Sequence, residues 1–196
     1  MGGGVLNYQA HVEWLQGTGS NMYTQFGEDG LIAGCLARIG TTNRHCFEIG
    51  AADGRFFSNT LRLREEGWHA VLIESDSRQY SKLARDFGQQ SECRLETCTD
   101  LDATLAGTDI DRRPDLGIID IDGQDFHLWN DMQDYVPRVM LVEIATYGPE
   151  VPVPERGKPG QAGLHAITVL GNEKGYQLVA TTYCNALFIH REAMRT

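Results

Sequence analysis

No run in the sequence approaches the ~20 apolar residues that a helix needs to cross a bilayer, so no membrane span is expected. The opening Met1-Gly-Gly-Gly-Val-Leu-Asn7 has neither a basic start nor a long apolar core and does not read as a signal peptide. Leu6 stands where an N-myristoylation motif wants Ser or Thr. Positive charge is scarce: 17 Lys and Arg against 27 Asp and Glu give a formal net charge of −10. Without clustered cations to meet phosphates, nucleic acid is excluded as a partner. The five cysteines, at 35, 46, 93, 98 and 184, are odd in number and contain no C-x-x-C pair. They read as reduced thiols in the cytoplasm rather than as a disulfide framework or a zinc site. Also missing is G-x-G-x-x-G, the turn that lets backbone approach a pyrophosphate at a helix N-terminus.

What is present points to an open α/β sheet. His45-Cys-Phe-Glu-Ile-Gly-Ala-Ala-Asp-Gly54 reads as a buried strand entering a glycine-bearing turn, with a carboxylate on each side of the turn. About twenty residues further on, the apolar run His69-Ala-Val-Leu-Ile73 ends in Glu74. Strand, tight turn, helix, strand, acid is the half-unit that binds a nucleoside in such sheets. Acids crowd the turn and would repel phosphates. A cationic cofactor such as S-adenosylmethionine, with its ammonium and sulfonium, suits it better.

At 196 residues the chain is expected to be one domain with a full core. Residues 7–16 read as a short amphipathic helix, and Leu31 to Ile39 as a second helix closed by Gly40. Strands are expected at 45–49, 69–73, 92–97, 116–121, 138–144, 176–180 and 185–190, with helices after 58–60, from Ser77 to Phe87, near 102–107, from Phe126 to Met132 and from Leu164 to Lys174. The alternation gives right-handed parallel crossovers, and the short gap before the last strand favours an antiparallel pair. Residues 146–163 hold four of the six prolines and form the one long loop.

Several segments together resemble the FkbM-type family of class I S-adenosylmethionine-dependent methyltransferases. They are Gln25-Phe-Gly-Glu-Asp-Gly30, Phe47-Glu-Ile-Gly-Ala-Ala-Asp-Gly54, Ser58-Asn-Thr60, Gly67-Trp68 with Leu72-Ile-Glu74, Ile119-Asp-Ile-Asp-Gly123, Val142-Glu143, and Gly175-Tyr176 with Asn185-Ala186, in the family's order across residues 23–190. The resemblance implies a Rossmann-like, seven-stranded, mostly parallel sheet with its last strand antiparallel and helices on both faces. It implies one domain over 1–196, with N-terminal helices in 1–44 covering the cofactor site of a 45–196 core. S-adenosylmethionine would lie at the C-terminal strand ends, serving O-methylation of a hydroxyl or carboxyl on a small molecule of sugar or natural-product metabolism. The chain departs from the family at Ala52, where a middle glycine is common, and at Ala145-Thr-Tyr147, where a polar Asn often follows the acid.

Each candidate residue has a plainer reading beside the functional one. Gly50, Ala51 and Gly54 would let the turn pass under the methionine moiety, with Glu48 and Asp53 offering charge to its ammonium. Alternatively, the glycines supply positive φ and Asp53 caps the helix. Ser58 and Asn59 are N-caps or contacts to the methionine carboxylate. Glu74, with Ser75 beside it, would accept hydrogen bonds from the ribose hydroxyls. Gln25 lies at a helix start that the resemblance folds over the cofactor. Asp120 and Asp122 alternate onto one strand face near Asp125. They could bind a divalent cation such as Mg with Glu143, take a proton from the substrate, or hold the loop. Asp122 is the leading candidate base, supported by Asp120, Glu143 and His127; Asp120 also borders the cofactor. His165, Tyr147 and Tyr183 border candidate active-site loops. N-methylation, or a nucleoside-binding module without catalysis, remain alternatives, and a homo-oligomer is left open.

Overall fold

The computed structural model describes residues 8–146 and 148–195. Its centre is four near-continuous apolar strands: β2 (His45–Ile49), β3 (His69–Glu74), β5 (Leu116–Ile119) and β6 (Val139–Glu143). Such runs suit parallel strands buried on both faces. They pair in parallel, Phe47 opposite both Val71 and Gly117, and Ile118 opposite Leu141. The side chains then part by alternation. Cys46, Ala70, Leu72, Leu116 and Leu141 enter one core cluster, while Phe47, Val71, Ile73, Met140 and Val142 enter the other. Helices α1 (Glu28–Ile39) and α3 (Ser77–Phe87) cover the first face, and α4 (Leu101–Ala106), α5 (Asp125–Asp131) and α6 (Leu164–Glu173) the second.

Helix starts follow local chemistry. The Asp76 carboxylate accepts from the backbone N–H groups of Arg78 and Gln79 and caps α3, and Asp100 does the same for α4 through Ala103. The five-residue α2 (Leu61–Glu65) has no side-chain cap, so Ser58-Asn-Thr60 do not serve it as the sequence suggested.

Among the described residues the sheet has eight strands in the order β1-β7-β8-β6-β5-β2-β3-β4, with β1 at Tyr8–Ala10, β4 at Glu92–Leu95, β7 at Tyr176–Thr182 and β8 at Asn185–His190. Strand β8 runs antiparallel between β6 and β7, as expected. The extra strand, β1 (Tyr8–Ala10), pairs antiparallel with β7, Gln9 opposite Thr181. It corrects both the expected seven-strand count and the expected helix over 7–16. Ten residues are too few to hold an isolated helix in water, and the open edge of β7 offers ladder partners instead; only a 3-10 turn at Glu13–Leu15 comes after it. No helix among the described residues is long and apolar enough to cross a membrane.

Far from the strand C-termini, a buried ion pair fastens the sheet's opposite end. Asp115, 0 % exposed, accepts from Arg138 Nη1 (2.7 Å) and from the backbone N–H groups of Thr42, Asn43 and Arg44. Arg138 also donates to the carbonyls of Ile39 and Gly40 at the end of α1. Burial alone would raise the Asp115 carboxyl, but Arg138 and the backbone donors bring it below the usual carboxylate range.

Candidate functional site

The C-terminal ends of β2, β3, β5 and β6 open into a cleft of about 850 Å³. Ligands bind at this end of open α/β sheets because the strands stop there and the connections diverge. Most of the residues singled out in the sequence line it: Gln25, Glu48, Gly50, Ala51, Ser58 and Asn59 on one side, Glu74 and Ser75 beyond β3, and Asp120, Asp122, His127 and Glu143 on the other.

Asp53 and Gly54 are not among the lining residues. The Asp53 carboxylate turns back onto its own loop, accepting from the N–H groups of Arg55 (3.0 Å) and Phe56 (2.9 Å). A Cβ on Gly54 would stand 2.5 Å from Leu83 Cδ1, so this glycine admits α3 rather than a ligand. Gly50, at φ +87, is needed for a different close approach: a Cβ there would collide with the Asp120 carbonyl of the neighbouring strand end.

The Glu48 carboxylate is buried and committed to protein donors. It accepts from Ser58 Oγ (3.0 Å), Thr60 Oγ1 (2.5 Å) and Asn59 N–H (2.9 Å). Arg64 braces the same network, donating to Ser58 Oγ and Thr60 Oγ1. Ser58 and Asn59 therefore tie the turn to β2. Glu74 accepts one backbone N–H on each oxygen, Ala52 on Oε2 (2.7 Å) and Asp76 on Oε1 (2.6 Å). Each oxygen keeps acceptor capacity toward the cleft.

Beyond β5 the chain leaves strand geometry after Ile119, and Asp122 sits at φ +58. Asp120 and Asp122 thus reach the cleft through a turn, not through strand alternation, with Asp122 exposed and Asp120 half-buried. Asp125 holds that turn, accepting from Ile121 N–H and Gly123 N–H at 3.0 Å each. Burial pushes its carboxyl up to about 7 despite those bonds. Burial, then the charges of Glu143, Glu48 and Asp122, hold Asp120 well above the ordinary carboxylate range. Burial, then Asp125, push Glu143 up to about 7, while its Oε2 accepts from Asp122 N–H at 3.0 Å. Clustered, half-desolvated carboxylates resist joint ionisation, which places proton affinity near neutrality.

His127 Nε2 lies 2.8 Å from the Pro154 carbonyl and fastens the long loop. Gln124 does likewise: its Oε1 accepts from Gly157 N–H and its Nε2 donates to the Lys158 carbonyl, both at 2.7 Å. This brings Arg156 and Gly157 to the cleft wall; the long loop that carries them was a candidate active-site segment in the sequence, but neither residue was singled out. Other lining residues missed in the sequence are Gln79, Glu96 to Thr99 and Cys184. The rule that ligands sit beyond strand ends would have flagged 96–99, which come directly after β4. Burial, then neighbouring carboxylates, push the Cys184 thiol up to about 12, which removes it as a nucleophile at neutral pH. Glu28 is buried away from the cleft, accepting from Phe26 N–H, Thr182 Oγ1 and Asn185 Nδ2. His165 and Tyr183 do not line the cleft, and Tyr147 lies outside the described residues. Among the described residues no three His, Cys, Asp or Glu side chains are grouped to hold a metal ion.

No protein-family profile matches the chain, and no curated protein matches it. Solved structures do. Magnesium protoporphyrin IX methyltransferase from Synechocystis PCC 6803, with S-adenosylhomocysteine bound, superposes at a TM-score of 0.55 and 13% identity, covering 83% of this chain and 81% of that one. TehB from Haemophilus influenzae gives a TM-score of 0.54 at 10% identity over 85% of this chain and 64% of that chain. A TehB-like S-adenosylmethionine-dependent methyltransferase from Corynebacterium glutamicum gives 0.50 at 10% identity, over 82% and 87%. The fold is the Rossmann-like fold of S-adenosylmethionine-dependent methyltransferases.

Proposed function

We propose that the chain is an S-adenosylmethionine-dependent methyltransferase of the FkbM type, acting on a small molecule, with O-methylation of a hydroxyl or carboxyl as the reaction. One observation carries this reading: acids from three adjacent strand ends, Glu48, Glu74 and Asp120, line a single cleft in a methyltransferase fold. The cleft is also short of cations, with Arg156 the one Lys or Arg among its described lining residues. A nicotinamide dinucleotide, with its pyrophosphate, would meet repulsion there; a sulfonium and an ammonium would not.

S-adenosylmethionine supplies a methyl group on a positively charged sulfur and leaves as S-adenosylhomocysteine. The chain's residues do the rest. Glu74 has the geometry to receive the ribose diol on oxygens already oriented by Ala52 and Asp76. The turn from Gly50 to Ala52 passes beneath the methionine end, shaped by Glu48 and its Ser58 and Asn59 partners. On the far wall a carboxylate would take the proton of a hydroxyl acceptor, freeing its oxygen to receive the methyl group that S-adenosylmethionine would supply; a carboxyl acceptor, already ionised at neutral pH, would need no such base. Asp122 is exposed and available. Glu143, at about 7, has the proton affinity best matched to neutral pH, with Asp120 beside it. His127 is the weaker candidate because its Nε2 is spent on Pro154. In-line positioning of this kind can lower a barrier by several kcal/mol, up to roughly 7–11 in the best-oriented cases. Residues 1–44 belong to the same domain in this reading, with Gln25 at the cleft edge.

Isothermal titration with S-adenosylmethionine, S-adenosylhomocysteine and NAD tests the reading. Both adenosyl compounds should bind and NAD should not; heat from NAD alone discards the proposal. Product masses from a panel of hydroxyl, carboxyl and amine acceptors then separate O- from N-methylation.

A further inference from the structure

The cleft wall formed by the β2 turn carries two aromatic rings that neither core packing nor hydrogen bonding accounts for. Phe56 and Phe57 are 68 % and 41 % exposed, their ring centroids lie 3.7 Å apart, and both line the cleft. Phe57 is also in the left-handed backbone region, at φ +57. A bulky side chain is a true outlier there, because its Cβ crowds the backbone carbonyl. Glycine or asparagine would occupy the position without that crowding.

The two turn acids explain how the conformation persists. Asp53 holds the near end of the segment through Arg55 N–H and Phe56 N–H, and Glu48 holds the far end through Ser58 Oγ and Asn59 N–H. Phe57 is the residue left between the two anchors, and its backbone takes up the turn. Two large rings turned to water and one strained backbone thus coincide in adjacent residues at a ligand cleft. Backbone outliers held by surrounding bonds cluster at ligand clamps.

We propose that Phe56 and Phe57 are specificity-determining residues: a stacking platform for an acceptor that has a flat, apolar body. The inference deepens the methyl-transfer reading and rests on it for the chemistry after binding. In the sheet, β2 lies between β3, which carries Glu74, and β5, which leads to Asp120 and Asp122. Asp122 and Glu143 line the same cleft, and the polar, reactive end of a body resting on the rings would have to reach their carboxylates. A planar ring system would gain both buried area and offset stacking on such a platform.

The experiment uses the full chain, free and saturated with S-adenosylhomocysteine, titrated with the neutral fluorescent probe N-phenyl-1-naphthylamine. The wild type should bind the probe saturably in both states. The double variant Phe56→Ala/Phe57→Asn should weaken probe binding tenfold or more, while calorimetric S-adenosylhomocysteine affinity stays within twofold and the melting temperature does not fall. Absence of saturable probe binding to the wild type overturns the proposal, as does equal binding by the variant. A parallel loss of S-adenosylhomocysteine affinity also overturns it, since the rings would then cover the donor rather than the acceptor. If the wild type fails to bind S-adenosylhomocysteine yet shows ring-dependent probe binding, the methyl-transfer reading falls and the platform stands.

Discussion

Glu74 is structural as it stands and, in the proposed reading, also receives the ribose. Its two oxygens orient Ala52 and Asp76, so changing it alters the pocket as well as the charge. Glu74→Gln should weaken S-adenosylhomocysteine about tenfold, because hydrogen bonds to a charged acceptor are worth roughly 1.5–3 kcal/mol against about 1 for a neutral one; unchanged calorimetric affinity removes the ribose assignment. Glu143 offers a pH test. Its folded carboxyl titrates near 7 against an ordinary 4.5, so the protonated form favours the fold. That stabilisation is complete below about 4.5 and is lost as pH rises through about 7. Glu143→Gln should therefore gain on the wild type by on the order of 1–3 kcal/mol between about pH 5 and pH 8 in urea titrations, and a gain in the opposite direction contradicts the burial argument. Phe57→Asn should raise the melting temperature by about 2 °C or more if left-handed strain of at least ~1 kcal/mol is relieved. At this scale the sequence was legible wherever an acid fell at or next to the end of an apolar strand, as at Glu74 and Glu143 and, one residue short of the end, Glu48. Spacing does not reveal where a side chain turns, and Asp53 and Gly54 accordingly proved to face their own loop and α3.

Among the elements, the Asp115–Arg138 pair couples the end of α1 to the starts of β5 and β6. Removing one partner leaves a buried charge unmatched. Asp115→Ala should cost about 3–5 kcal/mol in chemical denaturation and leave S-adenosylhomocysteine affinity in the surviving folded fraction unchanged. The carboxyl is held low in the fold, so the pair's contribution is present above its unfolded value, near 3.8, and fades as pH falls further. Fully buried strands declared themselves in the sequence because an apolar run of five or six residues between turn signals has few alternatives. Strand β1 did not. Three residues carry too little pattern, and their partner Thr181 is about 170 residues away in the chain. Gln124 and His127 were similarly opaque as loop anchors, since their partners at Gly157, Lys158 and Pro154 belong to a segment with no periodicity.

For the whole molecule, the acidic cleft and the surplus of negative charge should make ligand binding visible as stability. At one hundred times its dissociation constant, S-adenosylmethionine should add about 2.7 kcal/mol and raise the melting temperature by roughly 5–10 °C, while NAD at equal concentration should leave it unmoved. The overall architecture was legible because alternation of strands and helices admits few topologies once crossovers are right-handed. The closing antiparallel pair was readable from its short connection, and the flanking eighth strand was hidden because it arrives from the other end of the chain.

That distant pairing bears on how the protein comes off the ribosome. At roughly 5–20 residues per second, some 170 residues of elongation leave Tyr8–Ala10 without its ladder for about 10–30 s, while β2, β3 and β5 can already associate. Until β7 has been translated, a nascent chain would hold that stretch, Tyr8 included, without its strand partner.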